Sequence, residues 1–164
     1  MRETPSSIVC CRVYLFFKRM QLPRYSYKIN DNFLDYEFIS SGPKGEIKKV
    51  VRFTPITPHL FNLGFGDFDE EMDAINDLIV TNNNDSRKVL ATVASVVQDF
   101  TLKNNRAWIG AKGSTVSRTR LYRMGIANNW EEVSSEFFVF GLQKGNWQPF
   151  KLQNQYDAFL IHRR

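Results

Sequence analysis

Residues 113–125 read GSTVSRTRLYRMG. These thirteen positions hold three arginines, a tyrosine and a Ser-Thr pair, directly after a short apolar run, WIGA. Gly113 stands where a strand is expected to end and a helix to begin. Ser114 or Thr115 is the expected N-cap, its hydroxyl taking one of the N–H groups that a helix start leaves open. Those N–H groups and the positive end of the helix dipole suit an anion, a phosphate above all. At helical spacing Arg118 and Tyr122 share one side, and Arg120 and Arg123 share another beside Val116. Leu121 and Met124 are expected to point between them, towards a sheet. Two like charges at i, i+3 repel by about 0.2–0.5 kcal/mol unless something negative is near. Two readings compete. In one, the arginines belong to a solvated helix face and pair with Glu131, Glu132 or the acids of 67–77. In the other, Ser114, Thr115, Arg118, Arg120 and Arg123 form an anion-binding site.

Other groups carry weaker signals. Asn82, Asn83 and Asn84 stand at the mouth of an expected helix, where they would serve as cap and turn or face a ligand. The acidic run 67–77 holds six carboxylates and reads as a solvated hairpin. It is not a calcium-binding loop, because Met72 and Leu78 stand where that loop needs Gly and Glu. His59 and His162, the two histidines, lie far apart in sequence. No Ser-His-Asp set, P-loop or dinucleotide fingerprint is present. The Gly-Ser-Thr step lacks the spaced Asp pair of a nucleotidyltransferase. No metal site and no cofactor are expected. Aromatic side chains could stack bases if exposed, but fourteen Phe in so short a chain are better accounted for by core packing.

The elements that would position these residues can be read from periodicity. Tyr25–Ile29 and Phe33–Ser40 alternate as half-buried strands do, with Leu34, Tyr36, Phe38 and Ser40 on one face. A turn at Ser41–Glu46 leads to a third strand, Ile47–Ile56. Pro55 and Pro58 then suggest an edge or a bend. Leu60–Phe68 and Asp77–Thr81 are the fourth and fifth strands of an antiparallel meander. From Val89 the period changes: Val89, Leu90, Val93, Val96, Val97 and Phe100 form one helical stripe, with Asn84 or Asp85 as N-cap and Ser95 and Asp99 outside it. Residues 106–113 form a sixth strand, and the opening stretch a second helix running towards Trp130. Phe137–Leu142, a turn at Gln143–Asn146 and Tyr156–His162 complete the chain. The expected fold is α+β: a single curved, mostly antiparallel sheet of seven or eight strands with two helices on one face.

The chain has 164 residues, of which 43% are hydrophobic and 14% aromatic, enough for one domain with a real core. The net charge is +5. Residues 1–19 contribute +3 of it, and from Met20 onward 18 basic residues face 16 acidic ones. Six of those acids lie in 67–77, so the remainder is strongly basic and a basic face is expected. Cys10 and Cys11 are the only cysteines, which fits a reducing cytoplasm. The apolar run Ile8–Phe17 is too short to span a bilayer, and it lacks a signal peptide's cleavage site. It reads either as a membrane-surface or packing segment or as part of an over-extended leader, with Met20 the natural start. The second reading is preferred, because regular patterning begins at Met20.

The stretches NDNFLDYEFISSGPKGEIKKVVRFTPI, FNLGFGD, DLIVTNNND and GSTVSRTRLYRMGI together resemble a family of short bacterial proteins, of Bacteroidota type, whose domain has no known function. The resemblance runs from about Met20 to Arg164. It implies a small single-domain protein and no particular activity. Its members are similar in style to components of toxin–antitoxin or defence loci. Three functions are therefore expected to compete. The first is binding of a nucleic acid or nucleotide through the 113–123 site. The second is a small ribonuclease-like enzyme using Arg118 and Tyr122. The third is a protein-interaction module docking through the acidic 67–77 loop.

Overall fold

A computed structural model of the chain describes residues 23–76 and 81–164. The expected leader 1–19, the start at Met20 and all but the last residue of the strand expected over Asp77–Thr81 lie outside them. The described residues form an α+β fold with a mostly antiparallel, open sheet of nine strands and three helices. The strands are β1 (Lys28–Ile29), β2 (Asp35–Gly42), β3 (Gly45–Thr57), β4 (Leu60–Asp69), β5 (Ala74–Asn76), β6 (Trp108–Ala111), β7 (Phe137–Gln143), β8 (Asn146–Pro149) and β9 (Ala158–Arg163). The helices are α1 (Ser86–Lys103), α2 (Val116–Asn128) and α3 (Trp130–Glu136). The third helix exceeds the two expected, because Asn129 breaks the run and a new helix starts at Trp130.

The strand order is β1-β2-β3-β4-β6-β9-β7-β8, with β5 on β4. Every pairing is antiparallel except β4 with β6, which α1 links as a crossover. Pro55 sits past the end of β2, beyond the Phe53 N–H that donates to Leu34 O. Its missing donor therefore costs nothing. Between Pro55 and Thr57 the register to β4 shifts by one residue, which is the bend that the prolines suggested.

Alternation places Tyr36, Phe38, Val51, Phe53, Leu63, Phe65, Ile109, Val139, Phe159 and Ile161 on the helix-covered face, where all are buried. Phe53 stacks on Phe100 of α1 with centroids 3.8 Å apart, and Phe61 meets Phe100 edge-on at 5.1 Å. The expected α1 stripe is buried at Val89, Val93, Val96, Val97 and Phe100. Ser95, expected outside the stripe, is buried as well. The segment before β1 crosses that side of the helix: Arg24 donates to Ser95 Oγ at 2.6 Å, Tyr25 N to Thr92 Oγ1 at 2.9 Å, and Tyr27 OH to Asp99.

Within the Asn run Asn82 and Asn84 are exposed, whereas Asn83 is buried. Asn83 is 1% exposed and clamps the β2–β3 hairpin, its Oδ1 accepting from Lys44 N at 2.8 Å and its Nδ2 donating to Gly45 O at 3.0 Å. Asn82 Oδ1 accepts from Asn84 N, a local turn. Asp85 holds the N-cap position, but its carboxylate does not cap the helix. It accepts instead from Ser40 Oγ at 2.6 Å and Tyr25 OH at 2.8 Å. A hairpin thus uses the side chains that sequence alone assigns to the helix start.

Burial raises the hydroxyl pKa of Tyr27 and Tyr36, and the Asp99 carboxylate raises both further. The fold therefore favours neutral tyrosines. That contribution is fully present below the ordinary tyrosine pKa of about 10 and is lost as pH rises above it. Tyr27→Phe is expected to flatten the fall of melting temperature between pH 9.5 and 11.5, as followed by circular dichroism. A fall as steep as that of the wild type would contradict the assignment.

Candidate functional site

The β6–α2 turn is built as its residues require. Thr115 is extended (φ −130°, ψ 161°), and its Oγ1 accepts from Arg118 N at 3.2 Å, the expected cap. Thr119 Oγ1 donates to Thr115 O and accepts from Gly113 N, both at 3.2 Å. A Cβ on Gly113 would come within 2.3 Å of Thr119 N, so a larger residue would break this folded-back turn. The first turn of α2 contains no acidic residue of its own to offset the positive end of its dipole.

Arg118 turns inward. It is 6% exposed, and its guanidinium donates to Phe65 O and lies 5.9 Å from the Phe65 ring centroid. The topology explains this. On one side β4 pairs with β3 along its length. On the other, β6 pairs with Leu60–Asn62 and β5 with Asp67–Asp69. Between them, among the described residues, no strand pairs with Leu63–Gly66 on that side, and Arg118 supplies a donor to Phe65 O. Tyr122, one turn later, is 9% exposed and shares the inward side.

The five expected anion-site residues are therefore divided. A crevice of about 190 Å³ at the β4–β6 divergence takes Arg118, Tyr122 and Ser114, with Arg52, Asn62 and Lys112. A wider groove of about 1090 Å³ lies between the start of α2 and the β7–β8 hairpin. Ser114, Thr115, Arg120 and Arg123 line it, together with Lys112 and Lys144. Arg123 is structurally engaged there: its Nε donates to Asn154 O at 2.7 Å and its Nη2 to Leu152 O. Arg120, Lys112 and Lys144 are exposed, and Asp157 is a carboxylate in the same lining.

Among the described residues no ion pair joins Arg120 or Arg123 to Glu131, Glu132 or the acids of 67–73. The sheet-facing residues of α2 are Arg118, Thr119, Tyr122 and Ile126, rather than the expected Leu121 and Met124; Met124 is 39% exposed. Lys112 and Lys144 escaped the sequence reading. Lys112 adjoins Gly113 and could have been included, whereas Lys144 is brought in only by the β7–β8 hairpin.

The acidic run is a hairpin, as expected, though its first residues extend β4. Asp67 pairs with Lys49, which is 4% exposed, and accepts from Thr81. Asp69 Oδ1 accepts from Glu71 N and Met72 N within the turn. Glu70, Glu71 and Asp73 remain exposed. Among the described residues no group of three or more His, Cys, Asp or Glu could hold a metal ion. Among them, too, no helix is long and apolar enough to cross a membrane.

Fold and site thus define an α+β protein with helices on one sheet face and a cation-lined groove where a strand hands over to a capped helix. The chain belongs to a family of unknown function, DUF6934, whose model matches residues 21–164. None of the curated proteins and none of the solved structures compared with the chain matches it.

Loss of the Arg118 guanidinium leaves Phe65 O without this charged donor. Arg118→Ala is expected to cost about 2–4 kcal/mol of stability in urea unfolding. A loss below about 0.5 kcal/mol would show that Phe65 O is satisfied without it.

Proposed function

We propose that this protein binds a phosphate-bearing partner, a nucleic acid or nucleotide, in the groove at the start of α2. One observation carries the reading. Lys112, Arg120 and Lys144 come from three separate elements and outnumber the one carboxylate, Asp157, in a groove that also takes the N-terminus of α2. Convergent cations and a helix N-terminus recognise phosphate by charge and hydrogen bonding together. Thr115 holds the turn, while Arg118 and Arg123 brace its two walls through backbone carbonyls. The three exposed cations touch the phosphates directly.

A ribonuclease role for Arg118 and Tyr122 draws less support, because the Arg118 guanidinium is committed to Phe65 O. Among the described residues, docking through the acidic hairpin would rest on Glu70, Glu71 and Asp73.

Fluorescence anisotropy with inorganic polyphosphate and a labelled single-stranded 12-mer tests the reading. Log affinity is expected to fall linearly with log salt. Lys112→Ala/Arg120→Ala is expected to reduce the slope by about 1.4, or about 0.7 for each single-strand phosphate that is no longer neutralised. No binding of either probe at 50 mM salt would sink the proposal.

A further inference from the structure

The sheet face opposite the helices has two unlike halves. Over β2 and β3 it is laced with ion pairs, Asp35–Arg52 at 2.8 Å and Glu37–Lys48 at 3.1 Å. Over β6, β9, β7 and β8 the strands carry no carboxylate at all. Rings take their place. Trp108, His162 and Phe138 occupy one register row across three adjacent strands. Trp108 stacks on His162 with centroids 4.5 Å apart and lies 6.1 Å from Phe140. Phe138 is 44% exposed and Trp147 is 49% exposed. Large rings bared on a sheet face point to an interaction surface rather than a core.

The rim of this half carries three cations and one exposed carboxylate, Asp157, beside Leu142. Lys112 follows β6, Lys144 turns the β7–β8 hairpin, and Arg164 places its guanidinium 4.2 Å from the Phe138 ring centroid. The patch also adjoins the phosphate groove. Leu142 lines that groove and pairs directly across the hairpin with Trp147. Rings without carboxylates, cations at the rim and a neighbouring phosphate groove match a polyanion that also carries flat apolar groups.

We infer that this face takes the bases of a single-stranded nucleic acid whose backbone runs through the α2 groove, with Trp147 and Phe138 as stacking residues. The inference rests on the phosphate-binding reading and adds the class of ligand. A free nucleotide carries a single base, whereas Phe138 and Trp147 stand on two different strands and offer two stacking positions. In a duplex the bases are already stacked on one another and unavailable to the rings.

The test uses the full chain with labelled 12-mers of single-stranded RNA and DNA, a 12-base-pair duplex, and polyphosphate, which has no bases. The wild type is expected to bind the single strands about tenfold more tightly than the duplex. Phe138→Ala/Trp147→Ala is expected to weaken single-strand binding about tenfold or more, with polyphosphate affinity and salt slope unchanged. If the double change lowers the melting temperature, Trp147→Ala alone, on the edge strand, carries the test. Single-strand affinity within twofold of the wild type would overturn the stacking role and leave the phosphate reading standing. An equal loss of polyphosphate binding would overturn it too, since the rings would then not be reading bases. A dimer of the free protein that Trp147→Ala dissociates in sedimentation would assign the face to a second copy instead. Failure of the wild type to bind any probe would remove both readings together.

Discussion

The fold turns on the bond from Arg118 to the edge of β4. β4 is shared between two half-sheets: the β1–β5 meander on one side, and β6, β9, β7 and β8 on the other. Among the described residues, its parallel ladder to β6 covers Leu60–Asn62 and β5 pairs with it from Asp67. An unpaired backbone carbonyl in a buried place costs about as much as a lost hydrogen bond. Arg118 answers it from a neighbouring helix, with a charged donor to Phe65 O. That interaction ties the first turn of α2 to the sheet, while Arg123 holds its later turns to Leu152 and Asn154. The most buried arginine of the basic stretch thus supports the site, while a more exposed neighbour, Arg120, is available to a ligand.

A second polar network secures the other end of the molecule. Ser40, Asn83, Asp85 and Tyr25 bond to one another or to the β2–β3 turn, joining the hairpin, the start of α1 and the segment before β1. The close approach of the hairpin is visible at Gly42, where a Cβ would fall 2.1 Å from Asn83 O. Buried polar groups of this kind are high-stakes: once satisfied they specify one arrangement, and a half-satisfied set would be worse than an apolar core. The Lys49–Asp67 pair beside Thr81 follows the same logic. Together these bonds absorb several polar residues that would otherwise read as functional candidates.

The sequence by itself determined the α+β class, most of the strands, the register faces of β2, the buried stripe of α1 and a hydroxyl cap at Ser114 or Thr115, of which the fold uses Thr115. Each rests on short-range physics: alternation, helical period, or a hydroxyl meeting a nearby N–H. It also marked the basic stretch and its division into an Arg118–Tyr122 side and an Arg120–Arg123 side. What each side does was decided only by tertiary structure. Whether a guanidinium meets a backbone carbonyl or open solvent depends on where a strand ladder ends, and nothing within thirteen residues encodes that. The same holds for Asn83 and Asp85, whose partners lie far back along the chain on the β2–β3 hairpin and before β1. It holds too for Lys144, which joins the groove only through the β7–β8 turn. Exposure of Trp147 and Phe138 was likewise hidden, because alternation tells which residues share a face but not which face the helices cover.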